Sequence, residues 1–176
     1  MDTRRIVVLA SIIAFLASCA VPPEPQALAY VPIGPRELPS ESYERPPEVP
    51  FDKSGYLFKF ENLSSFYDVP GEAGYFMLGE DYGFDSLTII ITETHPHGGP
   101  PLHTHDVEEA HVLLSGQMDY VIGERSFSAT APYIAKVPAG VPHTFVNAGE
   151  QPLNLIGIIP SNTPGFEVVG PNPLVE

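Results

Sequence analysis

Short apolar runs separated by glycine, proline, asparagine and aspartate fill the chain from Phe51 onward. Runs of this length, in which apolar and polar positions alternate, are typical of β-strands, and the separating residues favour turns. No helical period persists for more than two turns. The pattern predicts eight strands, at residues 56–60, 74–78, 86–94, 110–114, 118–122, 134–137, 143–147 and 153–159.

Eight antiparallel strands favour one closed barrel or jelly roll, because closing a sheet buries one face and leaves few open edges. The step from Ile122 to Arg125 includes a glycine suited to a tight hairpin, and residues 147–151 are expected to join two further strands. The chain has 176 residues, which is enough for one domain with a substantial core. We therefore expect a single all-β domain over residues 51–176.

The first 18 residues have the features of an export signal. Arg4 and Arg5 precede an apolar run, residues 6–16, that is too short to span a bilayer comfortably. The segment that follows, Leu-Ala-Ser-Cys19, resembles the lipobox of a bacterial lipoprotein signal peptide. The resemblance implies cleavage before Cys19 and lipidation of that residue. An ordinary secretory signal with an incidental cysteine is the alternative.

Residues 19–50 are expected to form a tether between the lipid and the domain. Nine prolines fall between residues 21 and 50, and they favour extended, largely disordered chain over helix or sheet. A docking motif for a partner's aromatic groove is the alternative reading. Because Ala20 follows the cysteine where an inner-membrane retention signal would resemble aspartate, the expected location is the periplasmic face of the outer membrane.

The charge balance excludes one class of partner. Acidic residues outnumber basic ones 22 to 8, which gives a formal net charge of −14. Nucleic-acid binding needs a basic face, so we expect no nucleic-acid partner. Anionic headgroups would also repel this surface, so membrane attachment is expected through the N-terminal lipid only.

Three histidines and a glutamate stand at the two ends of one β-rich stretch. Residues two apart in a strand point to the same face, so His103 and His105 can both reach one point. Imidazole and carboxylate ligands suit Fe(II), Mn(II), Co(II), Ni(II), Cu(II) or Zn(II), and an octahedral ion with four protein ligands keeps two open positions. The spacing predicts one site for a divalent first-row transition metal, formed by His103, His105, Glu109 and His143.

Strand alternation distinguishes Glu109 from its neighbour Glu108. Glu109 shares a face with His111, whereas Glu108 is expected to be solvated. His111 should therefore point inward, as a donor to the ligands, a proton shuttle, a substrate contact or a core histidine. His95 and His97 precede a Gly-Gly loop and are expected to be exposed.

Two motifs give the chain a resemblance to the cupins. The first has the order Gly, His-x-His, Glu and Gly, and the second has Pro-x-Gly, His and Asn. Two positions depart from the pattern, since His97 and Pro132 stand where a cupin usually has glycine. The matching residues are Gly98 or Gly99, His103, His105, Glu109, Gly116, Pro138, Gly140, His143 and Asn147.

The resemblance to small, single-barrel, quercetinase-like cupins implies a metal-dependent oxygenase, with Fe(II) the favoured ion and an aromatic or enol-type substrate. Glu109 would bind the metal and could act as a base, with His111 as a second catalytic residue. A cupin isomerase or lyase, a non-catalytic periplasmic binder of a metal or small ligand, and a barrel with a vestigial site are the alternatives.

Large inward side chains are expected to line the pocket, namely Ile91, Met118, Tyr120, Phe127 and Phe145. Each of them is also a plausible ordinary core residue. The alternating Tyr56, Phe58 and Phe60 predict a strand buried on one side, where many proteins of this resemblance dimerise. A homodimer is therefore a further expectation.

Overall fold

The computed structural model describes residues 43–44, 56–69 and 71–175, and it is almost entirely β-strand, as the apolar pattern predicts. Two 3-10 helices, Phe60–Asn62 and Gly79–Tyr82, interrupt the strands. Within these ranges, no helix has the length and apolar character needed to cross a membrane. The signal segment, Cys19 and most of the predicted tether lie outside the described residues.

The strands form two antiparallel sheets that together make a jelly roll. The first sheet has the order β1-β2-β3-β4-β11-β6-β9 and the second has the order β12-β5-β10-β7-β8. The strands are β1 (Tyr43–Glu44), β2 (Ser64–Val69), β3 (Glu72–Met77), β4 (Thr88–Thr94), β5 (Leu102–Thr104), β6 (Glu109–Leu113), β7 (Gln117–Ile122), β8 (Arg125–Thr130), β9 (Tyr133–Val137), β10 (His143–Asn147), β11 (Leu153–Ile159) and β12 (Glu167–Gly170).

Seven of the eight predicted strands are present, and the predicted hairpin joins β7 to β8. Gly123 takes a φ of 59° in that turn, where a side chain with a Cβ would be strained. The structure also pairs β1 with β2. Tyr43 and Glu44, which fall within the segment predicted as a tether, therefore belong to the first sheet.

The prediction of a strand at residues 56–60 is wrong. Tyr56 is 86% exposed, and a 3-10 helix begins at Phe60. Phe58 alone packs inward, with its ring 5.5 Å from that of Tyr82. The strand begins instead at Ser64, whose backbone N–H donates to the Tyr82 hydroxyl at 2.8 Å. The residues offered as a dimerising strand therefore do not form one.

Asn147, the last residue of the second motif, holds the barrel together rather than taking part in the predicted metal site. Its Nδ2 donates to the carbonyls of Thr94 and Gln151 at 2.9 and 2.8 Å. Its Oδ1 accepts from the Gly149 N–H at 2.9 Å. Breaking these hydrogen bonds would leave a buried polar group unsatisfied, which costs about 1–3 kcal/mol. The fully buried amide of Asn147 therefore fixes the β10–β11 turn against β4.

Candidate metal centre

The fold brings the four predicted ligands to one buried point. His103 lies in β5 and His105 directly after it, while Glu109 and His143 begin β6 and β10. His103 and His143 are register partners, which places the two imidazoles side by side. All four side chains are buried, although their positions span 41 residues of sequence from His103 to His143.

The spacing of the donor atoms suits a single ion. One donor atom from each of the four residues lies within 4.8 Å of all the others. Glu109 Oε2 is 3.2 Å from His143 Nε2 and 3.4 Å from His105 Nε2. Two ligands about 2.1 Å from one ion and at right angles to each other would be about 3 Å apart, close to these distances.

Backbone carbonyls orient each imidazole for metal binding. The Nδ1 atoms of His103, His105 and His143 lie 2.8, 2.9 and 3.0 Å from the carbonyl oxygens of Pro101, Gly165 and Val141. A carbonyl can only accept, so each Nδ1 carries the proton and donates. Each neutral ring therefore keeps its lone pair on Nε2, which is the tautomer that a metal requires. The donor set thus fits a divalent transition metal.

Burial and neighbouring charges shift the acid–base behaviour of the cluster. Burial and the nearby His143 lower the pKa of His103 from 6.5 to about 3. Burial alone would lower the pKa of His105, but the Glu109 carboxylate raises it above 6.5. Burial opposes ionisation of Glu109, yet His111, His105 and His143 hold its pKa well below 4.5. Glu109 is therefore an ionised ligand and a weak proton acceptor.

We expect metal affinity to fall in acid because of His105. Its raised pKa means that the metal-free protein holds a proton on this ring at and somewhat above pH 6.5, and an incoming ion must displace it. His103 adds nothing in this range, because its pKa is about 3. Affinity should drop about tenfold per pH unit below the pKa of His105. Competition titrations from pH 8 to pH 5 would test this, and a constant affinity would contradict it.

His111 contacts the cluster from inside the barrel, as strand alternation predicts. Its Nε2 lies 3.2 Å from Glu109 Oε2. Its Nδ1 has no hydrogen-bond partner within the described part of the chain, so the proton belongs on Nε2, which donates to the carboxylate. Its ring stacks on Tyr120 with centroids 5.9 Å apart. Of the roles open to His111, this geometry favours orienting Glu109.

Gly157 on β11 makes room for the Glu109 carboxylate, a role that no pattern in the sequence indicates. A Cβ at residue 157 would lie 2.5 Å from Glu109 Oε1. We expect Gly157→Ala to displace that carboxylate and to weaken metal binding about tenfold, with little change in the free energy of unfolding, since the side chain can move aside.

Gly170→Ala is the matched control for Gly157→Ala, because a Cβ on this strand glycine meets nothing within 4 Å. Metal titration and urea unfolding of both variants would separate the two effects. Equal metal affinity in the two variants would show that Gly157 does not set the position of Glu109.

A cavity of about 340 Å³ borders the cluster, and its wall is mainly apolar. Of the five side chains predicted to line it, Phe145 does so, together with His103, His105, Glu109 and His111. The other principal apolar contacts come from Phe66, Phe76, Ile90, Leu155, Pro164 and Phe166. The jelly roll therefore places an apolar chamber directly against the donor atoms.

The other four pocket predictions are corrected by the structure. Ile91 lies between the lining residues Ile90 and Thr92, so alternation turns it away from the cavity. Met118 and Tyr120 are fully buried in the core cluster behind His111 and Phe145. Phe127 packs on the outer side of Tyr120, at 5.3 Å between ring centroids, and is 42% exposed.

Phe166 and Glu72 are among the cavity residues that the sequence analysis did not predict. Phe166, beyond the last predicted strand, stacks on His103 with ring centroids 4.9 Å apart. Glu72, just before the predicted strand at 74–78, is 2% exposed and lines the cavity. Its alternation with Gly74 and Phe76 is visible in the sequence and could have placed it on the inner face.

The remaining polar predictions agree with the structure. His95 and His97 are exposed, and His97 has a φ of 63°, a left-handed conformation that explains why a cupin usually has glycine there. Glu108 faces solvent and lies 3.1 Å from Lys136 Nζ. None of these side chains lines the cavity.

Fold and site together define the class of protein: a small antiparallel jelly roll with a buried cluster of three histidines and a glutamate. Residues 90–159 match the family model for the cupin domain. The matched residues include all four candidate ligands, and the two-sheet jelly roll is of the cupin type. No curated protein matches the chain.

Solved structures with the same fold include oxalate-metabolising enzymes. An S161A mutant of oxalate decarboxylase from Bacillus subtilis is 17% identical, with a TM-score of 0.54, over 58% of this chain and 29% of that one. The Lactobacillus farciminis oxalate decarboxylase formate complex is 18% identical, with a TM-score of 0.58, over 64% and 35%. An oxalate oxidase is 19% identical, with a TM-score of 0.53, over 57% of each chain. The chain thus spans about a third of the decarboxylases, and the similarity is one of fold.

Proposed function

We propose that this protein is a metal-dependent oxygenase for a small, flat, largely apolar organic substrate with an enol or phenol oxygen that binds the metal. The observation that carries the proposal is the mainly apolar cavity of about 340 Å³ whose wall includes His103, His105 and Glu109, three of the four candidate ligands. Pockets of this size and polarity suit small organic molecules held by a few polar groups.

The same cavity offers an oxalate-like substrate no polar partner beyond the proposed metal ion that would favour it. A small dianion is best held when cationic side chains or several N–H donors also replace its hydration shell. Among the described residues, no lysine or arginine lines the cavity, whereas the carboxylate Glu72 does. The oxalate chemistry named for the structural neighbours is therefore not the reaction that we propose here.

Each residue of the cluster has a defined task in this proposal. A bound divalent ion, with Fe(II) preferred and Mn, Co, Ni, Cu or Zn as the other choices, would supply open positions for a substrate oxygen and O₂. One of the neighbour structures is described by its Mn(II) centres, which keeps Mn among the ions to test. The three imidazoles and Glu109 would hold the ion. His111 would keep Glu109 in place, and the apolar wall would exclude water and orient the substrate.

An oxygen electrode tests the proposal. The purified chain is loaded separately with Fe(II), Mn(II), Co(II), Ni(II), Cu(II) and Zn(II), and then given flavonols, catechols and β-diketones under air. We expect metal-dependent O₂ uptake with at least one substrate class, and none after Glu109→Ala. A metal-loaded protein that is inert toward the whole panel would instead support a non-catalytic binding protein.

We also propose that Cys19 anchors the protein to the cell envelope, on the strength of the lipobox-like segment that ends at this residue. Replacing Cys19 with serine should move the protein from the membrane fraction to the soluble periplasmic fraction and abolish incorporation of labelled fatty acid. Unchanged membrane association of the variant would contradict lipid anchoring.

A further inference from the structure

Phe166 lies at the opening of the cavity, where its ring covers two of the candidate ligands. It is 54% exposed, whereas the other described residues that line the cavity are buried or half-buried. A residue that both lines a cavity and faces solvent lies where the two meet, so Phe166 forms part of the rim of the mouth. Besides stacking on His103, its ring lies 5.6 Å from that of His105, measured between centroids.

Gly165, the residue before Phe166, is held against the metal site by two hydrogen bonds. Its N–H donates to Asp106 Oδ1 at 2.7 Å. Its carbonyl accepts from His105 Nδ1 at 2.9 Å. A Cβ on residue 165 would lie only 3.1 Å from Asp106 Cγ, so glycine permits this close approach. Two consecutive residues, one of them a candidate ligand, therefore fix the backbone that carries the aromatic ring.

The chain on the other side of Phe166 is held by strand pairing. β12 begins at Glu167, whose backbone pairs with Thr104 in β5. Residues 104–106 therefore hold the chain both before and after Phe166, and they include the candidate ligand His105. Because both neighbours of Phe166 are tied to this stretch, its ring is preorganised at the mouth of the cavity.

We infer that Phe166 is a specificity-determining residue at the mouth of the cavity, and that Asp106 is the positioning residue that holds it there through Gly165. The inference rests on the proposed function, because it takes the cavity to be the place where the substrate binds. A fixed ring at the rim narrows the entrance. A flat aromatic substrate can pass along its face, whereas a branched one with the same metal-binding oxygens meets it.

A tryptophan reporter tests where the ring lies. The chain contains no tryptophan, so Phe166→Trp introduces a single fluorophore. We expect saturating Cu(II) to quench most of its emission, because residue 166 stacks on a candidate ligand. The matched control is Phe127→Trp, at an exposed phenylalanine on the outer side of Tyr120, whose emission should change much less. Equal quenching in the two variants would overturn the placement of Phe166.

Variants at position 106, made in the Phe166→Trp protein, test the positioning role. Asp106→Ala removes the acceptor of the Gly165 N–H, so quenching by saturating Cu(II) should fall and quenching by acrylamide should rise. Asp106→Asn keeps an oxygen that accepts this hydrogen bond, so it should restore both values. Asp106→Ala in the Phe127→Trp protein should change neither. Unchanged quenching in Asp106→Ala with Phe166→Trp would overturn the role of Asp106.

Two ligands with the same metal-binding oxygens test the selection itself. Catechol is flat, whereas 3,5-di-tert-butylcatechol carries two branched groups. Binding to the Zn(II)-loaded protein without O₂ is measured by isothermal titration. We expect Phe166→Ala to raise the affinity for the branched ligand relative to catechol by about tenfold or more, since one methylene already changes discrimination by about 10–200-fold. Phe127→Ala should keep the wild-type ratio.

Phe166→Leu, which keeps an apolar side chain without the ring, should give an intermediate ratio and carries the test if Phe166→Ala does not fold. A wild-type ratio in both variants at position 166 would overturn the specificity role of Phe166, while binding of either catechol would leave the proposed metal site standing. Failure of the loaded wild type to bind either ligand would overturn the proposed substrate class together with the selection by Phe166.

Discussion

Glu109→Ala is expected to reduce metal affinity by more than about a hundredfold, since even the loss of an outer partner of a metal ligand costs 10–100-fold. The carboxylate is the only negative charge among the four candidate ligands, and its Oε2 lies 3.4 Å from His105 Nε2 and 3.2 Å from His143 Nε2. Without it, the three histidine ligands would offer no negative charge to a divalent cation. Isothermal titration with each candidate metal measures the effect.

Glu108→Ala is the matched control for this loss. Residue 108 is the neighbouring carboxylate, but it is exposed and pairs with Lys136. Its removal should leave metal affinity within about twofold, because exposed ion pairs contribute little. Added metal should also raise the melting temperature of the control and not that of Glu109→Ala. A Glu109→Ala protein that binds metal as tightly as the control would refute the assignment of this ligand.

His111→Leu is expected to weaken metal binding by about 10–100-fold, which is typical when a donor to a metal ligand is removed. The reason is the contact of 3.2 Å between His111 Nε2 and Glu109 Oε2, which holds the carboxylate toward the imidazoles. Leucine fills similar space but donates no hydrogen bond. Metal affinity should fall in parallel with any catalytic activity.

His111→Gln distinguishes positioning from proton transfer. A glutamine amide can donate to Glu109 but does not titrate, so it should recover much of the metal affinity if His111 orients the ligand. His95→Leu, an exposed histidine outside the cavity, is the control. Normal metal affinity in His111→Leu with activity lost would show that His111 acts on the substrate instead.

Sequence reasoning placed the candidate metal residues because their geometry is local. A His-x-His step in a strand and the alternation from Glu109 to His111 fix directions without any knowledge of the whole barrel. The prediction that His143 joins Glu109 in one site depends on the order of the two motifs, because no local rule of strand geometry brings these distant residues together. The pairing of His103 with His143 shows why that order works, because β5 and β10 are adjacent.

Pocket walls were harder to predict, because alternation says which face a residue takes but not which layer it occupies. Met118 and Tyr120 face inward, yet they fill the core behind His111. Phe166 lies in a segment after the last predicted strand, just before β12, and no alternation of apolar and polar residues there indicates that it lines the cavity. The role of Gly157 depends on β11 passing close to the Glu109 side chain, and that contact can be recognised only in the folded structure.

The strand errors have equally specific causes. β8 was missed because it is a mostly exposed strand with serines at two of its six positions, so hydrophobic alternation is weak. β5 has only three residues and follows two prolines. The residues from Tyr56 to Phe60 have the alternating apolar pattern of a strand, but among them Phe58 is the one that packs against a core cluster.

Elemental analysis of the purified wild-type protein, combined with pulsed EPR or X-ray absorption of the bound ion, would show whether the four residues hold a metal. We expect one divalent transition ion per chain, with three imidazole nitrogens and carboxylate oxygen in its first coordination sphere. Protein that stays free of stoichiometric metal after exposure to Fe(II), Mn(II), Co(II), Ni(II), Cu(II) and Zn(II), or an ion bound without histidine, would contradict it.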